Sequence, residues 1–469
     1  MAVRRGERGE LALVLHTHMP YVEGFGTWPF GEEWLWEAIA TSYLPLLDVL
    51  AAPGGDRITL SITPVLADQL EAPGALERCV AFLETIRPES HRLDIEELGA
   101  AGQAAPAAEL ERSAAEYATR ARCLRELERT PGGGLLAALG RHASWTSAAT
   151  HAVLPLLATD AGVLLQVQTG IAAHRRRFGT WHGGFWLPEC AHASWLDELL
   201  EDAGVRATCV ELTGLFGLGD VRHLHPLAAP DGPVLWPLDR ATVALVWARD
   251  GYPSRAPYRD SHRHTTHRHH AWRNDRAPYD HAVALEQARA DAADFVSRVR
   301  ERLRGGGVCV CALDTELLGH WWYEGVHWLA AVLTEAERQG LALTTLDDAL
   351  HRHEPVPAPT HLPVSSWGDG GDLRTWSGPQ VAELAWAARA VELRLASGAG
   401  HPPERALREL LALQSSDWAV LHTRATAGDY PLQRARGHLQ ALERALAGDA
   451  GLAAEPALRG LAPDLTGWG

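Results

Sequence analysis

Lysine is absent from all 469 residues, so arginine carries every fixed positive charge. Against 59 acidic residues the 43 arginines leave a formal net charge of −16. That balance excludes a nucleic-acid partner or an anionic membrane surface, both of which require a basic face. Long hydrophobic runs are missing too, and no stretch approaches membrane-spanning length. Behind the basic start MAVRRGERGE the apolar run is only LALVL. It is too short for a signal-peptide core, and no small-residue cleavage site follows. Cysteine is scarce, at positions 79, 123, 190, 209, 309 and 311, with no CxxC pair. This spacing argues against a cysteine metal site and predicts buried free thiols in the cytoplasm. Phenylalanine and tyrosine are few, 7 and 8 residues, and tryptophan outnumbers both together with 18. Such an excess reads either as large core anchors or as flat amphipathic platforms for sugar rings.

The chain is too long for one simple core, so two or three packed units are expected. Short apolar runs predict strands at 11–15, 58–63, 183–187, 207–212, 241–247, 308–313 and 341–346. Helical periods fall between them, at 66–86, 107–129, 148–158, 192–203, 281–304 and 324–339. Strand alternating with helix implies a mainly parallel sheet or a β/α barrel. Residues 96–146 read as a helical excursion, and 213–240 and 249–280 as loops. Past the Pro-rich connector PVPAPTHLPV, residues 379–447 are helical by period with no strand signal. The expected organisation is a catalytic barrel over 1–360, with an inserted loop region at about 191–240. A C-terminal helical domain over 361–469 would contribute to the cleft.

Polar residues stand where these strands end. His16 and His18 follow the first strand, Glu189 follows GGFWL, and Asp314 follows VCVCAL. Barrel chemistry is built at the carboxyl ends of strands, so four such groups point to one shared pocket. The HxH of HTHMPY, with His151 as a third ligand, has the count of a zinc site, and equally suits hydrogen bonding to a neutral substrate. In FWLPEC, Glu189 can be a nucleophile or a base. In DTELLGHWWYEG, Asp314 is a candidate general acid. Burial against Trp321 or Trp322 and a second carboxylate nearby would keep it protonated. Two carboxyl groups in unlike environments are what glycosidic-bond chemistry requires. Glu316 and Glu324 are expected on helix surfaces or behind the site. SHRHTTHRHH (261–270) has no apolar context and reads as a solvated loop.

Together these motifs resemble glycoside hydrolase family 57, and within it the 1,4-α-glucan branching enzymes. The likeness rests on HTHMPYVEGFGTWPFGEEWLWEAI, THAVLPLL, FWLPEC, DTELLGHWWYEG, SSWG and QSSDW, and runs across nearly the whole chain. It implies a distorted seven-stranded β/α barrel with a C-terminal α-helical domain, and retaining chemistry with no cofactor or metal. On the matching positions it implies Glu189 as nucleophile and Asp314 as general acid/base. His16, His18 and His151 would line the sugar subsite beside the scissile bond. Trp28, Trp367 and Trp376 would be glucan platforms, with Trp247 as a further one. Asp417 would reach in from the helical domain to bind substrate, and Arg240 and Trp418 are placed with the substrate-binding residues. The implied partner is an α-glucan. One departure is plain: the loop 217–230 carries no tyrosine where the family's branching enzymes usually have one. An α-amylase or 4-α-glucanotransferase of the same family shares these motifs. A metal-dependent carbohydrate deacetylase and a non-catalytic glucan-binding protein are the readings outside the family.

Overall fold

A computed structural model describes residues 9–398, 400–454, 458 and 460–468. At its centre are seven strands: β1 Glu10–Thr17, β2 Thr59–Ile62, β3 Ala143–Ser147, β4 Phe185–Trp186, β5 Ala207–Val210, β6 Val234–Pro237 and β7 Val308–Asp314. Parallel ladders join β1 to β2, β2 to β3, β3 to β4, β5 to β6 and β7 to β1. Two thin seams complete the circuit. A single parallel bridge, Gly184 to Ala207, links β4 to β5. The Asp239 N–H donates to the Val310 carbonyl at 2.9 Å and links the end of β6 to β7. The result is a distorted seven-stranded β/α barrel. Gly184 is required at its seam, since a Cβ there would lie 2.1 Å from the Trp145 indole that fills the barrel.

Strand period decides what faces the barrel axis. On β1, Ala12 and Val14 join the inner cluster while Leu11, Leu13 and Leu15 pack outward on helices. On β7, Val308, Val310 and Ala312 face in, and Cys309, Cys311 and Leu313 face out. Continuing the alternation by two residues puts His16 and Asp314 on the inner face, directly opposite each other in register. All six cysteines are free thiols.

Several local expectations change. Residues 241–247 form a helix, Arg240–Trp247, rather than a strand. The run is rich in β-branched residues, but Thr242, Val243 and Val246 bury one helical face, and the Asp239 carboxylate accepts from the Thr242 hydroxyl at 2.6 Å. The strand of this region is VLWP, β6, inside a stretch read as loop. Residues 148–158 are irregular with one short turn at Leu154–Leu156, and the helix begins later, at Asp160–Phe178, capped by the Thr159 hydroxyl. β3 itself lies at the edge of the expected helical excursion, which otherwise appears as Arg87–Ala100, Ala104–Arg129 and Leu135–Gly140. LALTTL shrinks to a two-residue strand, Ala342–Leu343, that pairs with β1 outside the barrel circuit.

Beyond the Pro-rich connector the chain forms the helices Ala382–Ser397, Glu404–Leu413, Ser416–Thr423 and Tyr430–Leu446. Leu407, Leu410, Leu411 and Leu442 share one core with Tyr21 and Ala149 from barrel loops and Val65 and Leu165 from barrel helices. A buried clamp reinforces that seam: the Glu392 carboxylate accepts from Ala158 N–H, Thr159 N–H and the Thr159 hydroxyl at 2.7–3.0 Å. Among the described residues no helix is long and apolar enough to cross a membrane.

Candidate active site

Three histidines meet over the carboxyl ends of β1 to β3. His16 stacks on Trp186 with ring centroids 4.7 Å apart, and its Nε2 lies 2.9 Å from Nε2 of His151. Its Nδ1 faces the Ser61 hydroxyl at 3.3 Å. The His18 ring stacks on His151 at 3.9 Å, and its nitrogens reach the Thr63 hydroxyl and the Asp417 carboxylate at 3.2 and 2.9 Å. Burial, joined by the charge on His18, holds His16 and His151 well below the ordinary imidazole range. For His18, burial opposes the charged form, but the carboxylates of Asp417, Glu316 and Glu189 outweigh it and raise its pKa. The ring whose charged form is favoured, His18, thus stands at the outer end of a stack that runs Trp186, His16, His151, His18. The nitrogens of His16 and His151 are spent on each other and on Ser61 and Ser416. Among the described residues no group of three or more His, Cys, Asp or Glu side chains is arranged to hold a metal ion.

Two carboxyl groups flank this stack in unlike settings. Glu189 lies just past β4 in the left-handed region, φ 61°, as does His151 at φ 60°. Non-glycine residues rarely adopt this backbone, and where they do the surroundings must hold them. The Glu189 carboxylate accepts from Trp367 Nε1–H and from the Ser416 hydroxyl, both at 2.9 Å. Burial raises its pKa, and these two donors pull it back. Asp314 ends β7 with no hydrogen bond from a protein group among the described residues. Burial and the charge of Glu189 push it up to about 7. Asp314 is the ladder partner of His16, His16 meets His151 at 2.9 Å, and His151 Nδ1 stands 3.8 Å from Glu189 Oε1, so both acids border one histidine stack. Glu316 is buried behind Asp314, accepts from the Tyr43 hydroxyl at 2.6 Å and from His18 N–H at 3.1 Å, and is pushed up to about 8.

The structure redistributes the other expected residues. Trp367 donates its indole N–H to Glu189 and is tilted 60° against Trp186, so it fixes a carboxylate rather than lying open as a platform. Trp376 is only 3% exposed and packs with Val153, Val381 and Ala419, a core anchor and not a platform. Trp418 is fully buried, donates to the Ala412 carbonyl at 2.7 Å and lies beneath the Arg434 guanidinium. Asp417 gives its oxygens to His18 and to the Ser415 hydroxyl, so its direct partner is a histidine. Arg240 stands 3.9 Å from the buried carboxylate of Glu211. Trp28 and Trp247 remain open at 58% and 40% exposure. Trp322 packs inward on Tyr258 and Trp328, while Trp321 is exposed, so neither shields Asp314 in the expected way. The His-rich loop is only partly solvated: His269 is buried, and His267 pairs with the buried Asp94 at 2.7 Å.

Residues not singled out from sequence complete the site, Ser61, Thr63, Ser416 and Tyr43, while Glu316 was expected on a helix surface or behind the site and is buried. Ser61 and Thr63 end β2, and the strand-end rule that flags His16 applies to them equally. Ser416 sits in QSSDW beside Asp417. Nothing local in the sequence marks Tyr43 as a partner of Glu316, 273 residues away.

A parallel barrel whose strand ends gather two buried carboxyl groups beside a stack of histidines has the layout of carbohydrate-cleaving β/α-barrel enzymes. The profile of Glycosyl hydrolase family 57 matches residues 140–360, and that of the 1,4-alpha-glucan branching enzyme C-terminal region matches residues 400–451. A probable 1,4-alpha-glucan branching enzyme of Mycobacterium tuberculosis is 34% identical, over 92% of this chain and 91% of its own length. The 1,4-alpha-glucan branching enzyme of Thermococcus kodakarensis is 30% identical, over 93% of this chain and 73% of its own. The crystal structure of a GH57-type branching enzyme from Pyrococcus horikoshii superposes with a TM-score of 0.87 at 29% identity, covering 98% of this chain and 96% of that one. The chain belongs to glycosyl hydrolase family 57.

Proposed function

We propose that this protein is a 1,4-α-glucan branching enzyme that works by retaining transglycosylation, with residues 1–360 as the catalytic barrel and 361–469 as a helical domain completing the cleft. The observation that carries the reading is the asymmetry between two neighbouring acids. Glu189 receives two hydrogen bonds that favour its ionised form, whereas Asp314 receives none and keeps its proton to about pH 7. Such a pair performs a double displacement. A Glu189 oxygen attacks the anomeric carbon while Asp314 delivers its proton to the glycosidic oxygen. The C1–O4 bond breaks, and the distal glucan departs with a free 4-hydroxyl. The retained chain is then an ester on Glu189. Ionised Asp314 next takes the proton of an acceptor 6-hydroxyl, whose oxygen attacks the same carbon and frees the Glu189 carboxylate.

His18, when protonated, stabilises both carboxylates as they form, and Ser416 and Trp367 hold Glu189 on line. Arg240, Trp28 and Trp247 are the glucan-facing groups that remain open to solvent. The six free thiols suit a cytoplasmic glucan. Incubation with amylose tests the reading: new α-1,6 linkages should appear by proton NMR in excess of new reducing ends. Reducing ends without branches would overturn it in favour of an α-amylase. The loop without a tyrosine, whose Leu218 and Val221 are 67% and 64% exposed, is the feature that favours that second reading. A covalent adduct on Glu189, trapped in Asp314→Asn and located by peptide mass spectrometry, tests the assignment of the nucleophile.

A further inference from the structure

A second cavity of about 300 Å³ lies beside the barrel mouth and contains neither of the two central acids. The helical stretch 32–41 forms one wall through Glu33, Trp34, Glu37 and Thr41, and the excursion helices add Arg87, Tyr117 and Arg120. The loop 259–270 roofs it with Arg259, His264 and Arg268. The last wall is the turn Gly319–His320–Trp321, five to seven residues beyond Asp314. That turn is pressed against the neighbouring helix, since a Cβ on Gly319 would lie 1.9 Å from the Thr41 carbonyl. Directly beside it, Ser42 donates to the Thr315 carbonyl and Tyr43 to Glu316. The cavity is therefore walled by the loop that leaves β7 directly after Asp314.

Its chemistry is that of a sugar site. Two indoles stand open at it, Trp28 at 58% and Trp321 at 60% exposure. Most of its charge is internally matched. Arg87 bonds Glu37, which also accepts from Tyr117, and Arg259 bonds Glu109. Arg120 stands 4.0 Å from Glu116. Among the described residues Arg268 has no acidic partner, and it lies over the Trp28 ring at 5.1 Å. Burial holds His269, His270 and His320 below the ordinary imidazole range, so they add donors and acceptors without charge. Matched ion pairs and exposed rings suit hydroxyl groups and the C–H faces of pyranoses; a strongly anionic ligand would need free positive charge. The roof is also preset, because the Thr265 hydroxyl and His267 both bond the buried Asp94.

We propose that this cavity binds the acceptor glucan, a neutral α-glucan chain, with Trp321 and Trp28 as ring platforms and His264 and Arg268 as hydroxyl partners. The inference rests on the branching reading above. In a retaining site the acid/base serves the departing and incoming oxygens, so chains on its side are the leaving and acceptor chains. It also gives the His-rich loop a role that neither motif nor resemblance supplied.

Acceptor kinetics on the full chain test it. With amylose as a fixed donor and short linear malto-oligosaccharide as varied acceptor, α-1,6 linkages and reducing ends are counted in parallel. Trp321→Ala and His264→Ala should each raise the acceptor KM about tenfold, and a larger share of cleaved bonds should end in water. An unchanged acceptor KM in both variants overturns the proposal, as does an equal fall in branching and cleavage. Should the parent protein release reducing ends but form no α-1,6 linkage, the branching reading fails by itself. The cavity is then judged by electrophoresis in glycogen-containing gels. Retardation weakened by Trp321→Ala supports a glucan site there, and retardation equal to the parent's overturns it. Phosphorylated maltodextrin binding tenfold tighter than the neutral form, and losing that advantage in Arg268→Ala, would overturn the choice of a neutral ligand.

Discussion

Asp314 sets the pH response. With its pKa at about 7 and Glu316 still protonated until about 8, it is the first of the two to ionise as pH rises. We expect kcat/KM on amylose to fall on the alkaline side with a midpoint near pH 7, and Asp314→Asn to remove about a thousandfold of the rate together with that limb. The same group destabilises the fold where it is ionised. The folded chain keeps a proton that the unfolded chain releases near pH 4, so stability drops as pH rises from there to about 7. Asp314→Asn should consequently melt a few degrees above the parent at pH 8, with a smaller advantage at pH 5, in calorimetric scans. At this scale the sequence was informative for side chains that end strands: His16, Glu189 and Asp314 follow from period and position. It was silent on backbone. Neither His151 nor Glu189 is a glycine or asparagine, so nothing local announces their left-handed conformations.

Among elements, the eight-residue helix Ser416–Thr423 does most for the site. Its first turn supplies one hydroxyl to both His151 and Glu189, and one carboxylate to His18. Ser416→Ala removes a donor that lowers the pKa of Glu189, so the acidic limb of the rate profile should move to higher pH while kcat falls about tenfold to a hundredfold. A Ser416→Thr variant that restores the limb would tie the effect to the hydroxyl. Asp417→Asn should lower the pKa of His18, visible as an imidazole resonance titrating at lower pH. Element types were legible where period was long, as in His281–Arg302 and Gly325–Gln339. They were not where a short run of β-branched residues satisfied both templates. Arg240–Trp247 became a helix because burial of one face and the Asp239–Thr242 contact outweighed strand propensity. β6, four residues inside a stretch read as loop, is defined by its ladder pairing with β5.

At the scale of the molecule, barrel and helices share a polar clamp as well as a core. Glu392 satisfies two backbone N–H groups of the loop before Asp160–Phe178, and Gly162 leaves room for it, since a Cβ there would stand 2.1 Å from Glu392 Oε1. Glu392→Ala strands those buried donors, a loss of about 2–5 kcal/mol. We expect a lower melting temperature and a parallel loss of activity, because the same seam carries Ser416 and Asp417 to the mouth. Sequence indicated a helical unit after a Pro-rich connector, but pairings such as Glu392 with Thr159, 233 residues apart, have no local signature. That separation bears on synthesis. The barrel contributes Glu189 and Asp314 by residue 314, yet Ser416 and Asp417, which meet Glu189 and His18, are encoded a hundred codons later. A chain leaving the ribosome thus exposes both acids before the hydroxyl that Glu189 accepts from and the carboxylate that faces His18 have been made.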